Sequence, residues 1–297
     1  FMQHGIRLRR GERWWLLVFL APTVFGLTFG TLGPVLAAIG ISFTKWDVLT
    51  PPVFNGLANF RQLLTDPTFR KAIWNTVYYV LGVVPAATVI GLLLALLLNQ
   101  KLRGITFYRT AYFLPVVSST VAVALVWSWI YSKDFGLLNY MLRSIGLQPV
   151  AWLNSTRYAM LALIMMGIWG LLGQGMIIFL AGLQGISQSY YEAAEVDGAN
   201  RWGKFLHITL PLITPSMFFF FIITMISAFQ AFEQIYVMTR GGPSNATTTM
   251  VYYIYNNAFR NFRMGYASAQ AIALFLIVMV LTLIYWRSQD KWVVYDD

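Results

Sequence analysis

Three polar side chains interrupt an apolar stretch in the second half of the chain. Gln230, Glu233 and Gln234 recur at three- and four-residue spacing, which would place them on one face of a helix. Amide and carboxylate groups can hydrogen-bond the hydroxyls of a sugar, and an ionisable group inside an apolar segment predicts a functional site. Hydrogen bonding between packed helices is the alternative, and the sequence favours neither reading.

Three further residues join this candidate solute-binding set because they lie in apolar segments and offer aromatic faces or an amide. They are Phe229, Trp169 and Gln174. No lysine or arginine lies near the middle of an apolar segment, whereas a buried phosphate group would need a nearby cation. The set therefore favours a neutral sugar or polyol over a phosphorylated solute.

The sequence contains no recognisable catalytic constellation. His4 and His207 are its only histidines, and neither belongs to a metal-binding spacing. A phosphate-binding loop of the GxxxxGK[ST] type is absent, as is cysteine, so neither ATP binding nor a thiolate metal site is expected. We therefore expect that the chain is not an enzyme and binds no cofactor or metal itself.

Composition predicts an integral membrane protein, because 58% of the residues are hydrophobic and only 11% are charged. A soluble domain usually has about 25% charged residues. The net charge of +10 comes from basic residues in the loops beside apolar segments. This distribution indicates residues that flank a membrane rather than a surface that binds nucleic acid. We predict an all-α fold with six transmembrane helices, each near or above the ~20 residues needed to cross a bilayer. The predicted spans are 14–43, 74–98, 110–131, 158–183, 211–238 and 267–286.

The first predicted span is long and contains proline and glycine, so we expect a tilt or a kink in it. Charge gives a weak orientation. With a cytoplasmic N-terminus, the inside segments hold eleven basic residues and the outside segments ten, but seven of the eleven lie in the first two short inside segments. Early loops usually dominate orientation. Charge density thus favours a cytoplasmic location for residues 1–13 and 287–297, and a resemblance of the loop between the fourth and fifth spans settles it.

A polar segment between the fourth and fifth spans has the marks of two short surface helices. Ser189 and Glu192 fit a capping box at the start of the first helix, and Gly198 stands where a C-cap glycine belongs. Residues 201–210 can form the second helix, which should end before Pro211. Small side chains on this pair would let another protein approach the backbone closely.

This polar segment resembles the EAA loop of the membrane-spanning subunits of bacterial ABC importers. The residues that keep the family's spacing are Glu192, Ala193, Ala194, Asp197, Gly198, Ala199, Phe205, Ile208, Leu210 and Pro211. Ser187 departs from the pattern, since many members have proline there. The resemblance implies that residues 184–210 form a cytoplasmic coupling loop that docks into a cleft of an ATPase. The implied ATPase-coupling residues are Glu192, Ala193, Ala194, Asp197, Gly198 and Ala199.

Further motifs along nearly the whole chain resemble the MalF/LacF/UgpA-type permeases of carbohydrate importers. They lie at residues 56–60, 66–69, 107–110, 135–139, 239–243 and 255–259. The resemblance implies a type I ABC importer permease fold in the bacterial cytoplasmic (inner) membrane. It also implies a second, paralogous permease, two ATP-binding subunits that hold ATP and magnesium, and an extracytoplasmic binding protein that delivers the solute.

Within this family, the resemblance implies import of a sugar or related polyol. Import of glycerol-3-phosphate or another phosphorylated solute is the alternative. A secondary transporter is a more distant alternative, because such proteins usually show inverted internal repeats and none is found in this sequence.

Overall fold

The computed structural model describes residues 10–100 and 103–294, and most of these residues are helical. Most of the predicted segment 1–13 and the last residues of the predicted tail, 295–297, lie outside the described ranges. Within those ranges, five helical stretches are long and apolar enough to cross a membrane, and a bent pair of helices makes a sixth if it counts as one span. The prediction of an all-α membrane protein is confirmed.

Two compact units make up the chain: residues 1–65 with 257–273, and residues 66–256 with 274–297. The first unit begins with helical segments that correspond to the first predicted span. Gly33 donates its backbone N–H to the Thr28 carbonyl, five residues back, so a wide turn precedes Pro34, which has no N–H to donate. These segments are α1 (Arg10–Phe25), a π-helical stretch (Gly26–Leu32) and α2 (Gly33–Ser42).

A short antiparallel pair of strands and a helix follow the first span in the same unit. Asn59 is buried, and its side-chain amide donates to the carbonyls of Ser42 and Thr44, each at 2.8 Å. These bonds tie the end of the first span to the helix. The elements are β1 (Thr44–Lys45), β2 (Val53–Phe54) and α3 (Ala58–Thr65), with Thr44 opposite Phe54.

The second unit holds most of the helices. They are α4 (Pro67–Leu98), α5 (Ile105–Val117), α6 (Thr120–Ile130), α7 (Leu137–Ser144), α8 (Ala159–Gly185), α9 (Gln188–Val196), α10 (Arg201–Lys204), a π-helical stretch (Phe205–Thr209), α11 (Leu210–Leu212), α12 (Thr214–Phe229), α13 (Glu233–Met238) and α14 (Met250–Tyr255). The core of this unit lies between α4, α8 and α12, where Val83, Leu163 and Phe229 are buried in one cluster. Gly91 and Gly175 let α4 and α8 approach closely, because a Cβ on Gly91 would lie 3.3 Å from the Gly175 Cα.

The last span follows a π-helical stretch, Asn256–Arg260. It is α15 (Met264–Ser288), and a short 3₁₀ turn, Gln289–Lys291, extends it. Residues of α15 up to Ala273 belong to the first unit, and those from Leu274 belong to the second.

Helix α4 begins seven residues before the predicted second span. Asp66 caps it, because its carboxylate accepts hydrogen bonds from the N–H groups of Thr68 and Phe69, and Pro67 occupies the first turn, where no N–H is needed. The extra residues thus form a capped helical extension of the apolar span.

The third predicted span, 110–131, is two helices rather than one. α5 and α6 meet at an angle of 103°. Pro115 weakens the last turn of α5, and the Ser118 hydroxyl donates to the Leu114 carbonyl at 2.8 Å, offering the backbone an alternative to the helix. Ser118 and Ser119 then take extended backbone conformations.

The helix of the fifth predicted span, 211–238, is interrupted as well, although Thr214–Met238 still counts as one candidate span without a bend like that of the third. α12 ends at Phe229 and α13 begins at Glu233, with Ala231 inside the gap. A tertiary contact stabilises the break, because the buried Thr249 hydroxyl donates to the Ala231 carbonyl at 3.1 Å. The expectation that Gln230, Glu233 and Gln234 share a face of one continuous helix is therefore wrong.

Candidate functional site

The two broken spans face a common cavity of about 470 Å³ in the second unit. Residues from α4, α5, α6, α8, α12 and α13 line it, and both helix breaks contribute. A helix break inside a membrane protein leaves backbone polar groups that only a protein-lined or water-filled space can satisfy. The cavity is therefore the part of this unit in which polar solute binding is physically reasonable.

Most of the residues predicted to bind solute line this cavity. Gln230, Glu233 and Gln234 come from the break in the fifth span and the first turn of α13, and Trp169 and Gln174 come from α8. The break, rather than a helical face, brings the first three together. Gln230 and Glu233 are exposed, so their polar groups are available to a ligand.

Phe229 does not line the cavity. Only 2% of it is exposed, and it packs in the hydrophobic core with Tyr79 and Met225. An aromatic residue next to a polar set can belong to the core or to the site, and the structure places Phe229 in the core.

Tyr79 is a site residue that the sequence analysis missed. It lines the cavity from α4, and Gln234 donates its side-chain N–H to the Tyr79 hydroxyl oxygen at 2.9 Å. Gly167 on α8 makes room for that hydroxyl, because a Cβ there would collide with it. The hydrogen bond between Gln234 and Tyr79 joins residues 155 positions apart, so a lone tyrosine in an apolar span gave no signal in the sequence.

Aromatic side chains extend from the cavity along α6. Trp169, at the cavity wall, meets Trp127 edge to face with ring centroids 5.7 Å apart, and Trp127 lies 5.2 Å from Tyr131. Their geometry suits aromatic packing. The rings therefore hold the Trp169 side chain in place beside the space that a solute would occupy.

The second candidate site is the loop between α8 and α12, where α9 ends in a tight glycine turn. Gly198 has a φ of +77°, as the sequence predicted for a C-cap glycine. The Ala199 N–H donates to the Ala194 carbonyl at 2.8 Å, and the Gly198 N–H donates to the Glu195 carbonyl at 3.1 Å. This pattern is a Schellman motif, which satisfies carbonyls at the end of the helix.

The start of α9 differs from the predicted capping box. Ser187 is the N-cap, with extended backbone angles, and its hydroxyl accepts a hydrogen bond from the Ser189 N–H. Glu192 therefore stands too far along the helix to reach back to the cap. Its side chain is exposed and accepts no hydrogen bond within residues 10–100 and 103–294.

An ion pair, missed in the sequence analysis, joins the two short helices of the loop. The Lys204 ammonium lies 2.6 Å from a Glu195 carboxylate oxygen. The hydrogen bond from Lys204 and its positive charge hold the pKa of Glu195 below its usual value. The two residues are nine positions apart, so only the reversal of the chain at Gly198 brings them together.

The second short helix does not end before Pro211. Asn200 caps α10 by accepting from the Gly203 N–H at 2.8 Å. The chain then stays helical through Pro211, because a π-helical stretch widens the turn before it and Pro211 lies in the first turn of α11. The loop thus continues in helical segments to α12, with a single turn residue, Ile213, between α11 and α12.

The outer surface of the loop combines apolar and charged side chains. Val196 is 89% exposed and Trp202 is 68% exposed. Gly198 lies between them in sequence, and no atom lies within 4 Å of a Cβ built on it. Of the residues predicted for ATPase coupling, Glu192, Ala193, Asp197 and Gly198 are exposed, while Ala194 and Ala199 are half-buried. Such a surface can seat a partner protein close to the backbone.

Comparisons with known proteins agree with this architecture. Residues 87–292 match the family of binding-protein-dependent transport system inner membrane components. A probable ABC transporter permease protein, YesP of Bacillus subtilis (strain 168), is 38% identical over 94% of this chain and 91% of its own length. The lactose transport system permease protein LacF of Rhizobium radiobacter is 36% identical over 91% of this chain and 90% of its own.

A solved structure of the same kind shares the fold. It is a permease chain in a bacterial alginate ABC transporter in complex with alginate pentasaccharide-bound periplasmic protein. The TM-score is 0.82 at 27% identity, over 93% of this chain and 94% of that one. The chain thus has the ABC importer permease fold, and it is not an enzyme, since ATP hydrolysis in this family is carried by separate subunits. It belongs to the family of inner-membrane components of binding-protein-dependent transport systems and is an ABC transporter permease subunit.

Proposed function

We propose that this permease imports a neutral sugar or a related polyol through the cavity between α4, α8 and the broken third and fifth spans. The lining of that cavity carries the proposal. Gln174, Gln230 and Gln234 offer amides to hydroxyl groups, and Trp169 offers an aromatic face. Both features suit a sugar ring, which combines a polar rim with apolar C–H faces.

The charge of the cavity supports a neutral solute over a phosphorylated one. Glu233 is the only charged side chain among the described residues that line it. Its carboxylate would repel a phosphate group, and no lysine or arginine in that lining would offset the repulsion. One relative's name points the same way, since LacF belongs to a lactose transport system, whereas the structural relative imports alginate, an acidic polysaccharide without phosphate.

We infer that the transporter contains three kinds of partner. A second, paralogous permease would complete the cavity, and two cytoplasmic ATP-binding subunits would hold ATP and magnesium. An extracytoplasmic binding protein would deliver the solute, in keeping with the periplasmic protein in the complex of the structural relative. This chain is proposed to bind no cofactor.

The loop from α9 to α11 is proposed as the mechanical link to an ATPase. The Schellman turn at Gly198 and the Glu195–Lys204 pair hold the two short helices against each other. The helical path through Pro211 leads from these helices towards α12, whose end lies at the cavity. Closure of the ATPases would therefore move α12 and change access to the solute.

This link requires both termini and the α9 loop to lie in the cytoplasm. The test uses single cysteines in the cysteine-free chain, at Thr65, Val196 and Ser244, which are all exposed. An impermeant thiol reagent in whole cells should label Thr65→Cys and Ser244→Cys but not Val196→Cys. Labelling of Val196→Cys alone would show that the chain has the opposite orientation, and it would contradict the proposed link to the ATPase.

The solute site is tested in the complete transporter, reconstituted in lipid vesicles. Gln230→Ala and Glu233→Ala should each lower transport by about 5- to 150-fold, because removing a polar contact to a desolvated hydroxyl costs about 1–3 kcal/mol. Assembly with the ATP-binding subunits should not change. Gln148→Ala is the matched control, since Gln148 is exposed in another loop and does not line the cavity.

Transport at the control rate by both cavity variants would show that these side chains are structural. In a panel of solutes presented by the binding protein, neutral sugars should stimulate ATP hydrolysis and phosphorylated sugars should not. Stimulation by a phosphorylated sugar alone would instead favour the alternative substrate class.

A further inference from the structure

In helix α7, the polar side chain is buried and apolar side chains are exposed, the opposite of what is expected for a helix on a water-facing surface. Its one fully buried residue is the polar Asn139, whereas Leu137, Tyr140 and Met141 are exposed. The spacing puts these three on one side, and Ile145 continues the stripe at the end of the helix. A helix that faced water would show the opposite pattern. The exposed apolar side of α7 therefore indicates contact with an apolar partner.

The apolar face is held rigidly. The Asn139 amide donates to the carbonyls of Ser132, Lys133 and Val150, and its oxygen accepts from the Val150 N–H and the Trp152 indole. A network of this kind fixes the rotation of α7 about its axis. The exposed stripe is therefore built into the fold rather than produced by a frayed turn.

The position of α7 relative to the spans identifies the partner. A Cβ on Gly136 would collide with the carbonyls of Ile130 and Ser132, so α7 starts directly against the end of α6. At that end, the Tyr131 hydroxyl donates to the Ala162 carbonyl in the first turn of α8. The base of α7 is thus level with the point where α8 begins.

That level corresponds to the bilayer interface. α8 has 27 residues, which is about 40 Å at 1.5 Å per residue. This length exceeds the ~30 Å hydrocarbon core and matches the ~40–45 Å that includes the headgroup regions. A helix of this length that is centred in the bilayer has its first turn among the headgroups, and α7 lies beside that turn of α8.

Side chains around α7 suit that location. Lys133 and Arg143 are exposed cations, and Arg157 lies over the Tyr158 ring, 5.5 Å from its centroid. Asp134 is the acid beside them. Lipid phosphates attract such cations, whose aliphatic stems can lie along apolar surface, and tyrosine and tryptophan favour the interface.

We propose that α7, with Phe135 before it and Ile145 after it, is an interfacial helix that lies in the membrane surface and anchors the end of the third span to lipid. Phe135 is 76% exposed and Ile145 is 70% exposed, and they flank the helix that carries the exposed Tyr140. The bilayer is the chosen partner because the stripe lies at the level of lipid-facing spans and is flanked by cations. The proposal rests on the membrane-spanning fold and does not depend on the identity of the solute.

The test measures the surroundings of single spin labels on the complete transporter in bilayers of phosphatidylethanolamine and phosphatidylglycerol. Labels at Tyr140→Cys and Met141→Cys report on the stripe. Thr65→Cys is the aqueous control, and Leu93→Cys, exposed on α4, is the reference within a span. Collision rates with oxygen, which enters lipid, and with a water-soluble nickel chelate give the location of each label.

The oxygen-to-nickel collision ratio at both α7 labels should be at least threefold above that at Thr65→Cys, with a burial depth of about 5–10 Å. A ratio equal to that of the aqueous control would overturn the proposal. Weak collision with both reagents, with or without the binding protein, would also overturn it, because a protein partner would then cover the stripe.

Discussion

Replacement of Gly198 is the sharpest test of the proposed mechanical link. Its φ of +77° is a left-handed conformation, which costs an L-residue about 1–2 kcal/mol. Among residues 10–100 and 103–294, no atom lies within 4 Å of an added Cβ, so strain of the turn is the whole cost within that part of the chain. A penalty of this size lowers the population of the native turn by about 5–30-fold relative to its unfolded alternatives.

Two substitutions separate strain from obstruction. Gly198→Ala adds the strain and one methyl group, so transport and solute-stimulated ATP hydrolysis should fall moderately. Gly198→Asp adds no more strain, because aspartate tolerates the left-handed conformation better than alanine does, but it places a charged side chain on the surface between Val196 and Trp202, where the ATPase is proposed to dock. Both activities should therefore fall further in the aspartate variant, to less than a tenth of wild type.

Gly56 provides the matched control. Its φ is +59° and no atom lies within 4 Å of an added Cβ, but it follows the first span rather than the fourth. Gly56→Asp should strain its turn comparably and leave solute-stimulated ATP hydrolysis near wild type. The assay is the reconstituted complex, with assembly checked by co-purification of the ATP-binding subunits. Full activity of an assembled Gly198→Asp transporter, or equal losses at both glycines, would refute the reasoning.

Two further predictions follow from side-chain contacts. Lys204→Ala should speed hydrogen exchange in α9 and α10 at pH 7, because it removes the ion pair to Glu195. The pKa of Glu195 is lowered from 4.5, so the ion pair stabilises the loop above pH 4.5 and is lost as the pH falls through the lowered pKa. The difference in exchange rate between wild type and variant should therefore vanish well below pH 4.5. A difference that persists there would contradict the ion-pair explanation. Asn139→Ala should destabilise the purified chain by about 3 kcal/mol, since several buried hydrogen-bonding groups lose their partner. Thermal unfolding checks this against Asn154→Ala, an exposed asparagine nearby, and equal shifts in Tm for the two variants would rule out the proposed network.

The sequence by itself determined the class of protein and the glycine turn in the loop between α8 and α12. Apolar segments long enough to cross a bilayer must form helices there, because lipid offers no partner for backbone polar groups. Gly198 was predictable for an equally local reason, since the position after a short helix favours a left-handed residue and glycine takes that conformation at no steric cost. Such features depend on neighbouring residues and on the solvent, both of which the sequence contains.

Only the tertiary structure decided where the spans break and what the breaks create. The gap after Phe229 depends on a hydrogen bond from Thr249 to Ala231, and the place of Tyr79 in the cavity depends on room beside Gly167. The outward apolar face of α7 likewise follows from the bonds of Asn139 to distant backbone groups. These features arise from contacts between residues far apart in the chain, so no local pattern encodes them.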